Sequence, residues 1–260
     1  CLAEPERHDP MHRKQLEWST RWNVHASSGI IAISETTKTD LVKRLDADPA
    51  KIEVIYHGIS SNLRPASAGE IQALRMRTGI GERAILHVGS IHPRKNLTRL
   101  IQAFELLAVG DPSVQLVLSG GLGWKGDVIL QRARSSPFRE RILHLGYVPD
   151  SSLPALYSAA AVFAFPSLYE GFGMPALEAM ACGTPVVAAK RAALPEICGN
   201  AAVLVDPHDS HQLAAGIHSL LSERELRATH IRLGFERVKS FTWHHCARQT
   251  LAFLASVSDT

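Results

Sequence analysis

Residues 84–120 contain AILHVG (84–89), NLTRLIQAFELL (96–107) and VQLVLSG (114–120), which are an apolar run, a helical pattern and a second apolar run. Each apolar run is nearly continuous, so both faces of the strand it forms are expected to be buried. Strands of this kind, separated by helices, form parallel sheets covered on both sides. The stretch therefore predicts an α/β protein with a Rossmann-like, doubly wound parallel sheet.

The same alternation continues on either side of this stretch. Downstream, we predict strands over 142–146, 161–166, 185–189 and 202–206. Upstream, an apolar run, a helical pattern and a second apolar run predict a separate βαβ unit over 28–58, and turn formers predict a linker over 57–69. Parallel sheets bind ligands at the carboxyl ends of their strands, so we expect the site after Gly89, Gly120, Gly146, Pro166 or Ala189.

Composition narrows the class of protein. The net charge of +3 over 260 residues is too small for a protein that coats nucleic acid. The cations are uneven, however: between Arg64 and Arg99, seven Arg and Lys stand against two Glu, which predicts an anion site. Four scattered cysteines favour reduced thiols, and no apolar run has the length of a membrane span. A first residue of Cys rather than Met indicates a processed product or a piece of a longer protein.

The turn 89-GSIHPRKNL-97 has the composition of a phosphate-binding turn. Gly89 lets the backbone approach a ligand, while Arg94 offers a two-pronged donor and Lys95 a point charge. Asn96 is predicted to cap the helix that follows, whose N-terminus adds a positive dipole end. The alternative interpretation is an exposed basic turn.

A second motif, 166-PSLYEGFGMPALEAMACGTPVV-187, places Glu170 in a glycine-containing loop and Glu178 in a short helix. Carboxylates near a helix N-terminus stay ionised and accept hydrogen bonds from ligand hydroxyls. Gly171 and Gly173 leave room and backbone N–H groups for a phosphate. The alternative interpretation is that Glu178 complements the helix dipole and Glu170 is a solvated loop charge.

Three weaker signals have ordinary interpretations. The segment 121-GLGWKG-126 matches G-x-G-x-x-G but lacks the helical context of a dinucleotide site. The pairs His8/His12 and His244/His245 are expected to be surface or capping residues rather than metal ligands. The C-terminal stretch is expected to pack in the core through residues at helical spacing, namely Phe241, Cys246, Leu251 and Leu254.

Together, the two motifs closely resemble the retaining, nucleotide-sugar-dependent glycosyltransferases of family 4 (group 1), which have the two-domain GT-B fold. The E-x7-E spacing of Glu170 and Glu178 is the most specific part of the resemblance. Segments 31–41, 144–160 and 194–207 support it, so that it covers the chain from about residue 28 to 240.

The resemblance implies a role for each residue of the two motifs. Arg94 and Lys95 would hold the donor diphosphate and Glu170 the donor sugar, and these three are the expected catalytic residues. Glu178 would bind the ribose hydroxyls. The other donor-binding positions are Gly89, Ser90, Val148 near the nucleobase, Phe172, Gly173 and Met174 through their backbone, and Leu177. Many members have Arg where this chain has Ser90, and Arg94 is the expected substitute.

The resemblance also implies a domain organisation. Residues 1–60 would be the remnant of an acceptor-side N-terminal domain, 61–240 the nucleotide-sugar-binding Rossmann-like domain, and 241–260 a helix crossing back to the first domain. The family's His-Asp pair would precede Cys1, so His8 and Asp9 are not expected to be that pair. With most of the acceptor half outside the chain, we expect little catalysis from it alone.

The activity implied is transfer of a sugar, with GDP-mannose as first expectation, from a GDP- or UDP-linked donor to a glycan or lipid-linked acceptor with retention. Arg94, Lys95 and backbone N–H groups would stabilise the leaving β-phosphate without a metal or other cofactor. No nucleic-acid partner is expected. The expected location is cytoplasmic, either free or held peripherally at the inner face of the membrane through the absent N-terminal region.

Two other functions stay open. A glycoside hydrolase using Glu170 and Glu178 as acid and nucleophile suits the paired carboxylates but leaves the adjacent cations unexplained. A non-catalytic nucleotide-sugar-binding module suits a chain without most of its acceptor half.

Overall fold

The computed structural model describes residues 10–258, with side chains from residue 14 onward. Within that range the helices are α1 (Pro10–Ala26), α2 (Glu35–Leu45), α3 (Ala68–Thr78), α4 (Leu97–Gly110), α5 (Gly126–Arg134), α6 (Leu153–Ala159), α7 (Met174–Ala181), α8 (Leu194–Cys198), α9 (Ser210–Ser222), α10 (Arg224–Val238) and α11 (Trp243–Ser258). The strands are β1 (Ile30–Ala32), β2 (Ile52–Val54), β3 (Arg83–Val88), β4 (Val114–Ser119), β5 (Ile142–Gly146), β6 (Val162–Phe165), β7 (Val186–Ala189) and β8 (Ala202–Val205).

Six strands form one parallel sheet in the order β5-β4-β3-β6-β7-β8. Counted from β3, this is the order 3-2-1-4-5-6 of a doubly wound Rossmann sheet, which confirms the predicted fold class. The order reverses between β3 and β6. The carboxyl ends of these two strands therefore border the crevice in which sheets of this topology bind ligands.

The sheet is buried on both faces because its strands carry apolar side chains at successive positions. In β6, Phe163 and Phe165 belong to one core, together with residues of α3, α6, α7 and α8. Val162 and Ala164 belong to the other core, together with residues of α4, α5 and α9. These two layers hold the strand ends rigidly, so the loops that leave them start from defined positions.

The N-terminal βαβ segment, consisting of β1, α2 and β2, lies beside the large sheet with its own two-stranded parallel sheet. Ser34 caps α2 by accepting a hydrogen bond from the backbone N–H of Thr37. The C-terminal helix α11 returns to this segment. A Cβ added to Gly29 would lie 2.7 Å from the Phe253 ring and 2.8 Å from Val257.

The C-terminal helix departs in part from its predicted packing. The prediction of core packing is wrong for Leu251 and Leu254, which are 71% and 54% exposed, because α11 turns Phe253 and Val257 rather than these residues toward Gly29. Phe241 is buried as predicted.

Residues Cys1, His8 and Asp9 and the side chain of His12 lie outside the described residues. Within the described part of the chain, no helix has the length and apolar character needed to cross a membrane.

Candidate active site

The chain segments that follow β3 and β4 approach each other closely through their backbones, next to the crevice. Gly89 and Gly120 follow β3 and β4 with φ angles of +143° and +142°. A Cβ added to Gly120 would lie 2.0 Å from the carbonyl oxygen of Gly89. Glycine is required at position 120 because any side chain would overlap the neighbouring turn.

The turn after β3 directs its lysine into the protein. Residues Pro93–Lys95 form a 3-10 turn, and His92 caps it by accepting a hydrogen bond from the backbone N–H of Arg94 at 3.2 Å. The Lys95 side chain is only 8% exposed, and its Nζ lies 4.9 Å from the centroid of the Phe165 ring. The interpretation of this turn as an exposed basic loop is therefore wrong.

Asn96 occupies the N-cap position of α4, but the predicted side-chain cap is absent. Its backbone has φ +58°, and its Nδ2 donates to the carbonyls of Pro166 at 3.1 Å and Pro207 at 2.7 Å. The left-handed backbone after the 3-10 turn directs the amide away from the helix and toward neighbouring strand ends. Asn96 thus ties the turn after β3 to the loops after β6 and β8.

The glycines of the G-x-G-x-x-G segment allow the same turn to pack closely. A Cβ on Gly126 would lie 2.5 Å from the carbonyl oxygen of Ile91, and one on Gly123 would lie 3.3 Å from the same atom. These glycines therefore serve chain packing.

The loop after β6 brings Glu170 to the cations of the first turn. Nζ of Lys95 lies 2.7 Å from Oε1 of Glu170, and Nη1 of Arg94 lies 2.9 Å from Oε2. Glu170 is 8% exposed, so it is not the solvated loop charge of the alternative interpretation. Arg94 also donates to the Tyr169 carbonyl at 2.5 Å, which fixes the backbone just before Glu170.

For both Glu170 and Lys95, burial and the ion pair between them shift the pKa in opposite directions. Burial alone would raise the pKa of the Glu170 carboxyl, but the charges of Lys95 and Arg94 outweigh it and hold that pKa below its ordinary value. Burial lowers the pKa of the Lys95 ammonium, which Glu170 opposes and Arg94 reinforces. The carboxylate is therefore ionised at neutral pH and keeps two cations directed toward the crevice.

Glu178 lies in α7, which begins after Gly173. That glycine has φ +114°, and a Cβ there would lie 2.7 Å from the side chain of Leu194. Oε2 of Glu178 accepts a hydrogen bond from the Tyr157 hydroxyl at 2.7 Å. Burial raises the pKa of the Glu178 carboxyl. Glu178 also lines a cavity of about 620 Å³ together with Asn62, Arg64, Asp150 and Ser151.

Comparison with known proteins agrees with this architecture. A family model described as "Glycosyl transferases group 1" matches residues 72–237, which contain the six-stranded sheet and both motifs. The chain belongs to this family. A second model, "Glycosyltransferase Family 4", matches residues 3–63, which include the βαβ segment.

Relatives of this group 1 glycosyltransferase chain are longer than it is. O-antigen chain mannosyltransferase B of Escherichia coli is 33% identical over 249 residues, which are 95% of this chain and 65% of the relative. D-inositol 3-phosphate glycosyltransferase of Salinispora tropica is 34% identical over 269 residues, covering 96% of this chain and 55% of the relative. The chain thus spans 55% to 65% of the length of these two relatives.

Solved structures share the GT-B architecture. Anabaena HepE in complex with UDP and glucose matches with a TM-score of 0.84 and 26% identity over 95% of this chain and 69% of HepE. Sucrose-phosphate synthase from Thermosynechococcus elongatus matches with a TM-score of 0.83 and 27% identity over 98% of this chain and 64% of the synthase.

The remaining predicted donor-binding positions of this group 1 glycosyltransferase chain fall into three groups. Gly89 and Ser90 lie at the end of β3, and Ser90 is exposed there. Leu177 is completely buried, because α7 directs its side chain into the core. Phe172, Gly173 and Met174 are partly or largely buried in and just after the loop that follows β6, whereas Val148 is partly buried after β5.

Sequence reasoning missed several residues that contact the second motif. Ser34 and Thr37 bind the Gly171 carbonyl, and Asp40 binds the Tyr169 hydroxyl. The sequence assigns their segment, 31–41, to the predicted βαβ unit and to the resemblance but gives these side chains no role. The signal that could have found them is the run of hydroxyl and acidic side chains at the start of α2, whose partners lie far away in sequence.

Proposed function

We propose that this chain is the donor-binding part of a retaining hexosyltransferase. It binds a nucleotide-diphosphate sugar at the crevice between β3 and β6 and, with the rest of its acceptor-side domain, transfers the sugar to a glycan or lipid-linked acceptor. The observation that carries the proposal is the meeting of Arg94 and Lys95 with Glu170 at the reversal of the strand order. A cytoplasmic location, with or without peripheral attachment at the inner face of the membrane, remains a prediction.

The two cations supply the chemistry that the donor needs. When the bond between the sugar and the β-phosphate breaks, negative charge develops on the phosphate oxygen. A lysine ammonium has three N–H donors, and Glu170 accepts from one of them, so Lys95 has donors left for phosphate oxygens. Because Glu170 already holds Lys95 and Arg94 in place, little reorganisation is needed as the charge develops.

Glu178 and the cavity beside it suit the nucleoside. A carboxylate accepts hydrogen bonds from two vicinal hydroxyls, which is what a ribose offers. The cavity of about 620 Å³ has the volume of a small-molecule site and carries polar side chains of both charges. The base stays undecided between guanine and uracil: a mannosyltransferase is among the relatives, whereas HepE binds UDP and UDP-glucose.

The site argues against one of the two alternative functions and is compatible with the other. A hydrolase that uses Glu170 as its general acid loses support, because both carboxylate oxygens of Glu170 are paired with cations, which lower its pKa and leave it no proton to donate. A non-catalytic donor-binding module fits the same site. It differs from the proposal only in turnover once the acceptor half is supplied.

The test is binding followed by turnover. We expect GDP-mannose or UDP-glucose, but not both equally, to raise the melting temperature of the chain, because a ligand that binds only the folded state stabilises it by mass action. Calorimetry would then give the affinity. Failure of GDP, UDP and both nucleotide sugars to bind would contradict the proposal. Binding without transfer, measured after addition of the acceptor half, would favour the non-catalytic module.

A further inference from the structure

The loop that carries Glu170 is held from outside the large sheet. The Ser34 hydroxyl donates to the carbonyl oxygen of Gly171 at 2.6 Å, and the Thr37 hydroxyl lies 3.3 Å from the same oxygen. Ser34 is completely buried. These residues lie at the start of α2, so the βαβ segment fixes the backbone immediately after Glu170.

The residue before Glu170 is fixed from the same helix. The Tyr169 hydroxyl donates to Oδ2 of Asp40 at 2.6 Å, and the Tyr169 carbonyl accepts from Arg94 at 2.5 Å. Oδ1 of Asp40 accepts from Nε of Arg44 at 2.7 Å, which orients the carboxylate. Tyr169 thus connects α2 to one of the two cations that contact Glu170.

A carboxylate on α8, a helix that packs on the large sheet, holds α2 in this position. Oε1 of Glu196 accepts from the backbone N–H of Glu35 at 2.8 Å and from the Tyr56 hydroxyl at 2.9 Å, and Oε2 accepts from the backbone N–H of Thr36 at 3.2 Å. A negative charge at a helix N-terminus is stabilised by the unpaired N–H groups there. Polar contacts therefore fix α2 in two places. Glu196 binds its N-terminus, and Ser34 and Asp40 bind the loop that carries Glu170.

We infer that Ser34 and Asp40 are positioning residues for the donor site: through Gly171 and Tyr169 they hold Glu170 and Arg94 where a sugar diphosphate binds. The inference rests on the proposed function and makes the donor site depend on the βαβ segment. The nucleoside cavity is lined by none of these residues, since it is formed by the 60–66 stretch, the start of α6, and Glu178. Loss of the α2 contacts should thus affect the diphosphate and sugar while leaving the nucleoside end unchanged.

The test compares two ligands on the full 260-residue chain. Titrations use the nucleotide sugar that the wild type binds, GDP-mannose or UDP-glucose, and the matching nucleoside monophosphate, GMP or UMP. We expect Ser34→Ala and Tyr169→Phe each to weaken nucleotide-sugar binding about tenfold, the effect of one lost hydrogen bond at a buried site. The affinity for the monophosphate should stay within about twofold of wild type by the same conversion.

A matched control separates positioning from general destabilisation. Ser136 is a buried serine, 1% exposed, whose hydroxyl accepts from the Phe138 N–H in a turn after α5. Ser136→Ala removes this hydrogen bond and the one to the Glu105 carboxylate, and it should leave both affinities unchanged. A double-mutant cycle adds specificity: Asp40→Ala combined with Tyr169→Phe should weaken binding no more than either change alone, because both remove the same contact.

The outcomes distinguish the inference from the function on which it rests. If the wild type binds neither nucleotide sugar, the proposed function fails. If the wild type binds and both variants bind equally well, the positioning role is overturned. An equal loss for the nucleotide sugar and the monophosphate also overturns it, since that result describes a structural role alone.

Discussion

Nζ of Lys95 lies 2.7 Å from Oε1 of Glu170, although 75 positions separate the two residues in the chain. The contact joins the turn after β3 to the loop after β6, across the reversal of the strand order. Both side chains are buried, so each charge depends on the other for the solvation it has lost. The pair therefore has a structural part as well as its proposed part in catalysis, and a test must separate them.

Lys95→Met removes the ammonium and keeps the apolar stem over Phe165. We expect the free energy of unfolding to fall by about 3 kcal/mol, because Glu170 loses its better-buried partner. Binding of GDP or UDP should weaken at least about tenfold, since a charge-assisted contact to the diphosphate is lost. Urea unfolding and calorimetry measure the two effects separately. In a complete enzyme we expect Lys95→Ala to lose most of its activity.

The double variant Lys95→Met/Glu170→Gln is the control for this prediction. It removes both buried charges, so it should recover much of the lost stability without recovering affinity for the diphosphate. Recovery of both properties would show that Lys95 acts only as the partner of Glu170.

Glu178→Gln keeps the size of the side chain and its contact with Tyr157 but removes the negative charge. We expect about tenfold weaker binding of GMP or UMP, because the amide accepts hydrogen bonds from hydroxyls less strongly than the carboxylate does. The wild type should lose affinity as the pH is lowered, and should do so at a higher pH than an ordinary glutamate would cause, since burial raises the pKa of this carboxyl and acid neutralises it. Glu178→Gln should lose the part of this pH dependence that comes from the carboxyl and keep the part that comes from the phosphate of the ligand. An unchanged affinity at pH 7.5 would contradict the nucleoside assignment.

The strands and the parallel, doubly wound class of the sheet could be predicted because apolar runs and the helices between them are local features. Near-continuous hydrophobicity in β3, β4 and β6 indicated two-sided burial, and helices between them imposed a parallel sheet. Glu170 and the two cations could be predicted to share an edge of the sheet because each follows a predicted strand, and the carboxyl ends of parallel strands lie at one edge. The failure at Asn96 is instructive: residue type and position both favoured a cap, but neighbouring strand ends offered better-placed carbonyls.

The contacts of α2 could not be predicted from the sequence. Ser34 lies 137 positions from Gly171, and Asp40 lies 129 positions from Tyr169. Hydroxyl and acidic side chains at a helix start have an adequate local explanation as capping residues, and Ser34 does cap α2. Only the tertiary arrangement shows that the same hydroxyl also fixes the loop beside Glu170. The exposure of Leu251 and Leu254 in α11 likewise depends on which face of the helix packs against the N-terminal βαβ segment.

Gly120→Ala tests the backbone contact beneath the site. The added Cβ would lie 2.0 Å from the Gly89 carbonyl oxygen, and the backbone at Gly120 has φ +142°. We expect a loss of roughly 3 kcal/mol or more in the free energy of unfolding, measured with urea. Gly110→Ala is the matched control: it has open space within 4 Å, at the end of α4, and should change stability by less than about 1 kcal/mol. Similar losses in the two variants would contradict this account of the turn.

His87 predicts how stability depends on pH. Its ring is buried against Phe163 and Phe165 with Nδ1 3.1 Å from the Ala164 carbonyl, and burial together with the Lys95 charge lowers its pKa from 6.5 to about 3. Between these values only the unfolded chain binds the proton, so stability that is present above pH 6.5 is lost as the pH falls. The loss between pH 6.5 and 5 should reach about 2 kcal/mol. His87→Gln should be less stable at pH 7.5 but should lose about 2 kcal/mol less over that interval, measured by urea unfolding at each pH. Equal losses in the two proteins would assign the acid sensitivity to other groups.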